Sequence, residues 1–156
     1  MNFEVRDVIT PIVDFIKTCP FAEEFGVDVS DIHIQNLDEG EYAGSSIEYA
    51  GSSLLSQSED VLGETYIERQ ANFNLWLVVK DGHNFYRKDT ANFLFNFEQW
   101  IEFSRVLGLV PKLSMFEEDE ESEMAFASNG SFYSKYGGSD LSLYMIQIGI
   151  LYKNKY

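Results

Sequence analysis

Two histidines, one cysteine and a large supply of carboxylates are the groups in this chain that could do chemistry. His33 and His83 are far apart in sequence, and no Cys or His stands at metal-ligand spacing from either, so the pattern does not form a zinc site. Each reads as a surface or turn histidine. Cys19 has no redox or nucleophile motif around it and reads as a buried, inert thiol. Gly44-Ser45-Ser46 and Gly51-Ser52-Ser53 are glycine-serine segments only; there is no phosphate-binding loop, dinucleotide fingerprint or nucleophile elbow. A carboxylate pair acting as acid and base needs a shared cleft, which spacing alone does not supply. An ordered calcium site needs carboxylates interleaved with a tight turn and carbonyls, unlike the dense run at 117–123. The residues therefore predict no catalytic centre, metal or cofactor, and a protein that works by assembling with others.

The charge is lopsided. Twenty-six acids against eleven bases give a net charge of −15. No Lys or Arg occurs between Lys17 and Arg69, while acids run from Glu23 to Glu68. A second cluster, Glu117, Glu118, Asp119, Glu120, Glu121 and Glu123, places six carboxylates in seven residues. Such a surface repels nucleic acid, whose binding requires cations to replace phosphate counterions, and it repels an anionic membrane. An acidic run is by default a solvated loop.

Positioning falls to a chain of 156 residues with 45% hydrophobic and 15% aromatic content. That fits one domain over residues 1–156, able to bury roughly 70% of the surface its unfolded form exposes. It is too apolar for disorder, and no stretch approaches the ~20 apolar residues of a membrane span. The start, Met1 to Asp7, lacks the pattern of a signal peptide. A lone cysteine suits a reducing compartment.

A first helix is expected over 3–18, with Val5, Val8, Ile9, Ile12 and Ile16 on one face. Pro11 either kinks it or occupies its first position behind a Thr10 cap. Val27-Asp28-Val29 and Ile32-His33-Ile34 suggest short extended pieces. Glu41 to Ile47 and Glu48 to Leu54 form a seven-residue near-repeat, read as a duplication in a loop or irregular edge strand; Ser56 to Glu64 reads as exposed loop. The clearest strand is 65–80, with Ile67, Ala71, Phe73, Leu75, Leu77 and Val79 on one side and Arg69 interrupting them. Asp81-Gly82 is a turn signal.

A second helix is expected over 89–107, capped by Asp89 or Thr90 and ended by Gly108 and Pro111. Phe93, Phe97, Trp100, Ile101, Ser104 and Leu107 form its buried stripe. Phe95 and Phe103 lie off it, either as interface anchors or packed beneath a loop. Asn129-Gly130 between Met124–Ser128 and Ser131–Tyr136 is a hairpin signature. A last strand follows at 141–152. The order predicts an α+β fold, a mainly antiparallel sheet with two helices packed on one face.

Several segments together carry a family resemblance. They are the helix ending in Thr18-Cys19-Pro20, the strand opening Tyr66-Ile67-Glu68-Arg69-Gln70-Ala71-Asn72-Phe73, the stretch Asn92 to Glu102, Leu109-Val110-Pro111-Lys112-Leu113, and Leu143-Tyr144-Met145-Ile146-Gln147-Ile148. In this order they resemble the minor capsid or tail-terminator (head–tail joining) proteins of siphophages and prophages of Gram-positive bacteria, over roughly residues 5–153. The chain departs from that pattern where Ile67-Glu68 replaces the usual aspartate-glycine turn, in the Gly-Ser-Ser duplication, and in the acidic run.

The resemblance implies a tail-terminator-like domain that forms a homo-oligomeric ring, commonly a hexamer, at the head-proximal end of the tail tube. Its partners would be copies of itself, the tail tube protein and the head–tail connector. DNA would pass through without specific binding. The protein would occupy the host cytoplasm during assembly and then the virion. Arg69, Phe95 and Phe103 are the expected interface residues, with Arg69 pairing an acid across subunits or within the chain. Glu117, Glu118, Asp119, Glu120 and Glu121 are expected to face the lumen or solvent. A head-completion role in the same neck region is one alternative. An acidic DNA-mimic inhibitor is another, disfavoured by the last 33 residues, where Asp140 faces Lys135, Lys153 and Lys155.

Overall fold

The computed structural model describes residues 5–34, 44–80, 84–113, 125–135 and 141–156. The elements in chain order are α1 (Ile9–Lys17), a single 3-10 turn (Glu23–Phe25), β1 (Ile32–Ile34), β2 (Gly44–Glu59), β3 (Thr65–Lys80), α2 (Asn84–Val106), β4 (Ala125–Lys135) and β5 (Leu141–Lys155). The strands form one five-stranded sheet in the order β1-β2-β3-β5-β4. β1 runs parallel to β2, and all other neighbours are antiparallel. This is the expected α+β fold.

Alternation along the two central strands sets the core. Ala71, Phe73, Leu75 and Leu77 of β3 stand opposite Ile150, Ile148, Ile146 and Tyr144 of β5, so all eight share one face of the sheet. They join Ile12, Val13 and Ile16 of α1 and Phe93, Leu94, Phe97 and Ile101 of α2 in one buried cluster. Both helices therefore cover the same face. Full burial of a side chain such as Phe73 contributes about 1.5–3 kcal/mol.

The first helix is shorter than its periodicity suggests. Residues 5–8 are not helical, and Val5 is exposed. The Asp7 carboxylate accepts from the backbone N–H groups of Ile9 (3.0 Å) and Thr10 (3.1 Å), which fixes the start. Pro11 then falls in the first turn, where a missing N–H has no helical partner to lose. Neither a kink nor a Thr10 cap is needed.

The second helix begins at Asn84, earlier than expected, which overturns Asp89 or Thr90 as its cap. Thr90 lies inside the helix and is buried. Its other end follows the sequence closely. Gly108 adopts φ +70°, its N–H donates to the Arg105 carbonyl (3.0 Å), and the Leu109 N–H donates to the Ser104 carbonyl (2.9 Å). These paired bonds form a Schellman terminus. Leu107, expected in the buried stripe, is exposed because the helix has already ended at Val106.

The near-repeat is not loop. Its residues 44–54 lie in β2, which continues through Ser56 to Glu59, and only Asp60 to Glu64 forms the turn to β3. Glu41 to Ala43 lie outside the described residues. Val27 to Val29 is not a strand, although Val27 and Val29 are both buried. The hairpin expected at Asn129-Gly130 is also absent. β4 runs continuously through these residues and pairs with β5 on both sides of them, with a register shift between Ser128 and Ser131. The long edge of β5 holds the chain in one direction, and the Asn-Gly pair takes up one extra residue as a bulge. β5 itself extends past Tyr152 to Lys155.

Candidate assembly surface

Only about half the length of the β2–β3 hairpin lies over the helical layer. Ile47 is fully buried, whereas Leu54, on the same side, is half exposed. From Ser52 to Glu59 every residue of β2 is exposed. This outer part of β2 and β3 forms an arm that β5 backs through Tyr66↔Lys155 to Gln70↔Leu151. At about 3.3 Å per residue, the strands carry the arm about 20 Å beyond Ala71 before the turn.

The tip of the arm is fixed. Asp60 Oδ1 accepts from the N–H groups of Leu62 (2.8 Å) and Glu64 (3.0 Å). Those bonds to the charged form hold its carboxyl below the usual range, with the Glu64 amide the largest cause. Gly63 supplies φ +83°. Thr65 and Tyr156 exchange two backbone bonds, of 2.9 and 2.8 Å. Lys155 Nζ lies 2.7 Å from Glu64 Oε2 and 5.8 Å from the Tyr66 ring centre. On this braced turn, Val61 and Leu62 are 101% and 82% exposed.

A second apolar feature lies between the helices. Phe15 of α1 stacks on Trp100 of α2 with ring centres 4.7 Å apart and planes within 7°. Phe21 meets Trp100 edge-on, and Phe97 packs on it at 5.5 Å. Beside this cluster opens a groove of about 600 Å³, lined by Pro11, Asp14, Phe15, Thr18, Pro20, Trp100, Ser104, Leu109 and Pro111. The neighbouring Lys17 and Lys112 are exposed.

Phe95 and Phe103 are 63% and 60% exposed, and neither packs beneath a loop. With Val106 they lie on the side of α2 opposite Phe93, Phe97 and Ile101. Arg69 is on the arm, on the sheet side that faces the helices further along. Its Nη1 donates to Ser52 Oγ at 3.1 Å, a neutral hydroxyl rather than a carboxylate. The structure does not bring Arg69 together with the two phenylalanines. Glu117, Glu118, Asp119, Glu120 and Glu121 lie outside the described residues, as does His83. Sequence reasoning missed both Val61-Leu62 and the groove. The available signal was an apolar pair standing between Glu59-Asp60 and Gly63-Glu64.

Cys19 is buried, and that burial pushes its thiol pKa up, away from the reactive thiolate. Among the described residues no group of three or more His, Cys, Asp or Glu could hold a metal ion. No helix among them is long and apolar enough to cross a membrane. The described acids of the base-free stretch are Glu23 and Glu24 on the 3-10 turn, Asp28 and Asp31 before β1, Glu48 and Glu59 on β2, Asp60 and Glu64 in the turn that follows, and Glu68 on β3.

No protein-family model matches this chain, and no curated protein is similar to it in sequence.

Proposed function

We propose that this chain is a structural phage protein that forms a ring at the head-proximal end of a tail tube, ending tube polymerisation and joining tail to head while DNA passes through. The observation that carries the reading is the braced arm with its exposed apolar tip. Monomeric proteins rarely expose contiguous apolar patches larger than a few hundred Å², and larger ones mark contact with a partner. Phe95, Phe103 and Val106 on α2 add a second surface of the same kind.

The charge supports a channel rather than a nucleic-acid binder. A net charge of −15, with no Lys or Arg between Lys17 and Arg69, would repel phosphates and let a duplex slide without sticking. The segment resemblance supplies the phage context and the expected hexamer.

Light scattering on the purified protein tests the reading. The expected result is a mass near that of six 17.9 kDa chains, or a monomer that forms rings once tube protein is added. A monomer indifferent to tube protein that instead binds and inhibits a nuclease would replace this reading with the DNA-mimic one. In assembled particles, reversing the charge of Glu117 to Glu121 should preserve rings and slow DNA passage. Normal ejection from such particles would sink the channel role.

A further inference from the structure

We infer that the Val61-Leu62 tip of one copy docks into the Phe15–Trp100 groove of a second copy, making the self-contact head-to-tail. The inference rests on the ring reading above and names its contact.

The two features are complementary in form. One is convex, with two aliphatic side chains held in water by a turn that Asp60, Gly63 and the Lys155–Glu64 pair already order. The other is concave, walled by Pro11, Phe15, Trp100, Leu109 and Pro111. A pre-ordered turn loses little conformational freedom on docking, which is the usual advantage of preorganisation. Trp100 in the groove wall is of a residue type enriched among interface hot spots, which sit in well-packed pockets that exclude water.

Their charges also match. The tip carries Glu59 and Asp60, and Asp60 stays anionic because backbone N–H groups stabilise its charge. The exposed bases Lys17 and Lys112 adjoin the groove-lining residues Thr18 and Pro111. Asp14, also in the lining, opposes this match and lies one helical turn from Lys17.

A chain cannot satisfy its own groove. The arm is continuous sheet, paired on β3 from Thr65 to Lys80, and cannot bend back over the helices without breaking that pairing. Tip and groove are different surfaces of one molecule. Made reciprocally, their contact would close a two-fold dimer; the ring reading requires it to be made once per pair, as a heterologous contact, and such contacts close into rings when the rotation between copies permits.

The double variant V61E/L62E tests the contact in the full-length protein. Both side chains are exposed, so its far-ultraviolet circular dichroism should match that of the parent chain. Its mass by light scattering should fall to the 17.9 kDa monomer under conditions where the parent is a ring. Separately, chains carrying only L62C and chains carrying only L109C, mixed under mild oxidation, should form a disulfide-linked dimer. Retention of the full ring mass by V61E/L62E, or failure of the mixed pair to cross-link, would overturn the tip-in-groove contact and leave the ring reading standing. A parent chain that remains monomeric with and without tube protein would overturn both.

Discussion

Glu48 shows how a single carboxylate can organise the sheet face away from the helices. Its Oε1 accepts from Asn74 Nδ2 at 2.9 Å and from Trp76 Nε1 at 3.0 Å, joining β2 to β3 on that side. Hydrogen bonds to a charged group contribute more than neutral ones, and removing an acceptor strands its donors. Glu48→Ala should therefore cost about 1–3 kcal/mol in urea unfolding, whereas Glu48→Gln, which keeps an acceptor oxygen, should cost less. Equal losses for the two would show that packing rather than hydrogen bonding is at stake. Asp60 gives a pH prediction at the same scale. Its folded pKa lies below its ordinary value of 3.8, so its contribution is present above that value and disappears as pH falls through the folded pKa. The Leu62 and Glu64 amides, which donate to it, should lose hydrogen-exchange protection as pH is lowered past 3.8. Core amides of β3 should change less over the same range, and uniform loss across the sheet would contradict the local origin.

The near-repeat finds its explanation in one bulge of β2. In a regular strand a shift of seven residues moves a side chain to the opposite face, because the period is two. Here the register slips between Tyr49 and Ser52, and Gly51 adopts φ +88° at the slip. The extra residue restores the phase. Ser45 and Ser52 face the same side, opposite Leu77 and Ala71, and Ile47 and Leu54 do so opposite Leu75 and Arg69. Equivalent residues of the two copies thus keep one orientation while passing from buried sheet to exposed arm. Gly51→Ala would meet no atom within 4 Å, so its cost should be the backbone penalty alone, about 1–2 kcal/mol, read from chemical denaturation. A neutral effect would mean that this strand can shift its register freely. The same element shows where periodicity stops being informative. Leu75, Leu77, Ile146 and Ile148 alternate plainly, so β3 and β5 could be read from sequence. β2 could not, because its Gly-Ser composition resembles loop and its pairing is set by β3, a neighbour in space. Asn129-Gly130 failed in the opposite sense: a strong local turn signal lost to the long edge offered by β5. The α2 terminus at Gly108 was legible because its geometry depends on one residue, while the true start at Asn84 carries no apolar stripe to announce it.

At the scale of the whole molecule, a buried apolar core coexists with a net charge of −15. The candidate site was legible only in part for this reason. Composition reports that acids are abundant, and a stripe reports that Phe95 and Phe103 fall off the core face. Neither reports that a hairpin outruns the helices and lifts Val61 and Leu62 into water, because that depends on where the helices stop over the sheet. The charge itself leads to a prediction independent of any partner. Carboxylates of the 3-10 turn, β2 and the arm tip are held at fixed separations in the folded state and lie further apart in the unfolded chain, so their mutual repulsion opposes folding. Salt screens that repulsion, with a Debye length of about 10 Å at 0.1 M. Raising NaCl from low to moderate concentration should therefore raise the unfolding temperature, by about 2–4 °C for each kcal/mol of repulsion relieved. The Lys155–Glu64 pair at the tip is exposed enough that its own screening should take back little of this gain. V61E/L62E, which adds two carboxylates to the arm, should show a steeper salt dependence than the parent when both are compared as monomers. A fall in unfolding temperature with salt would instead mean that attractive pairs, including those between copies, outweigh the repulsion among the acids.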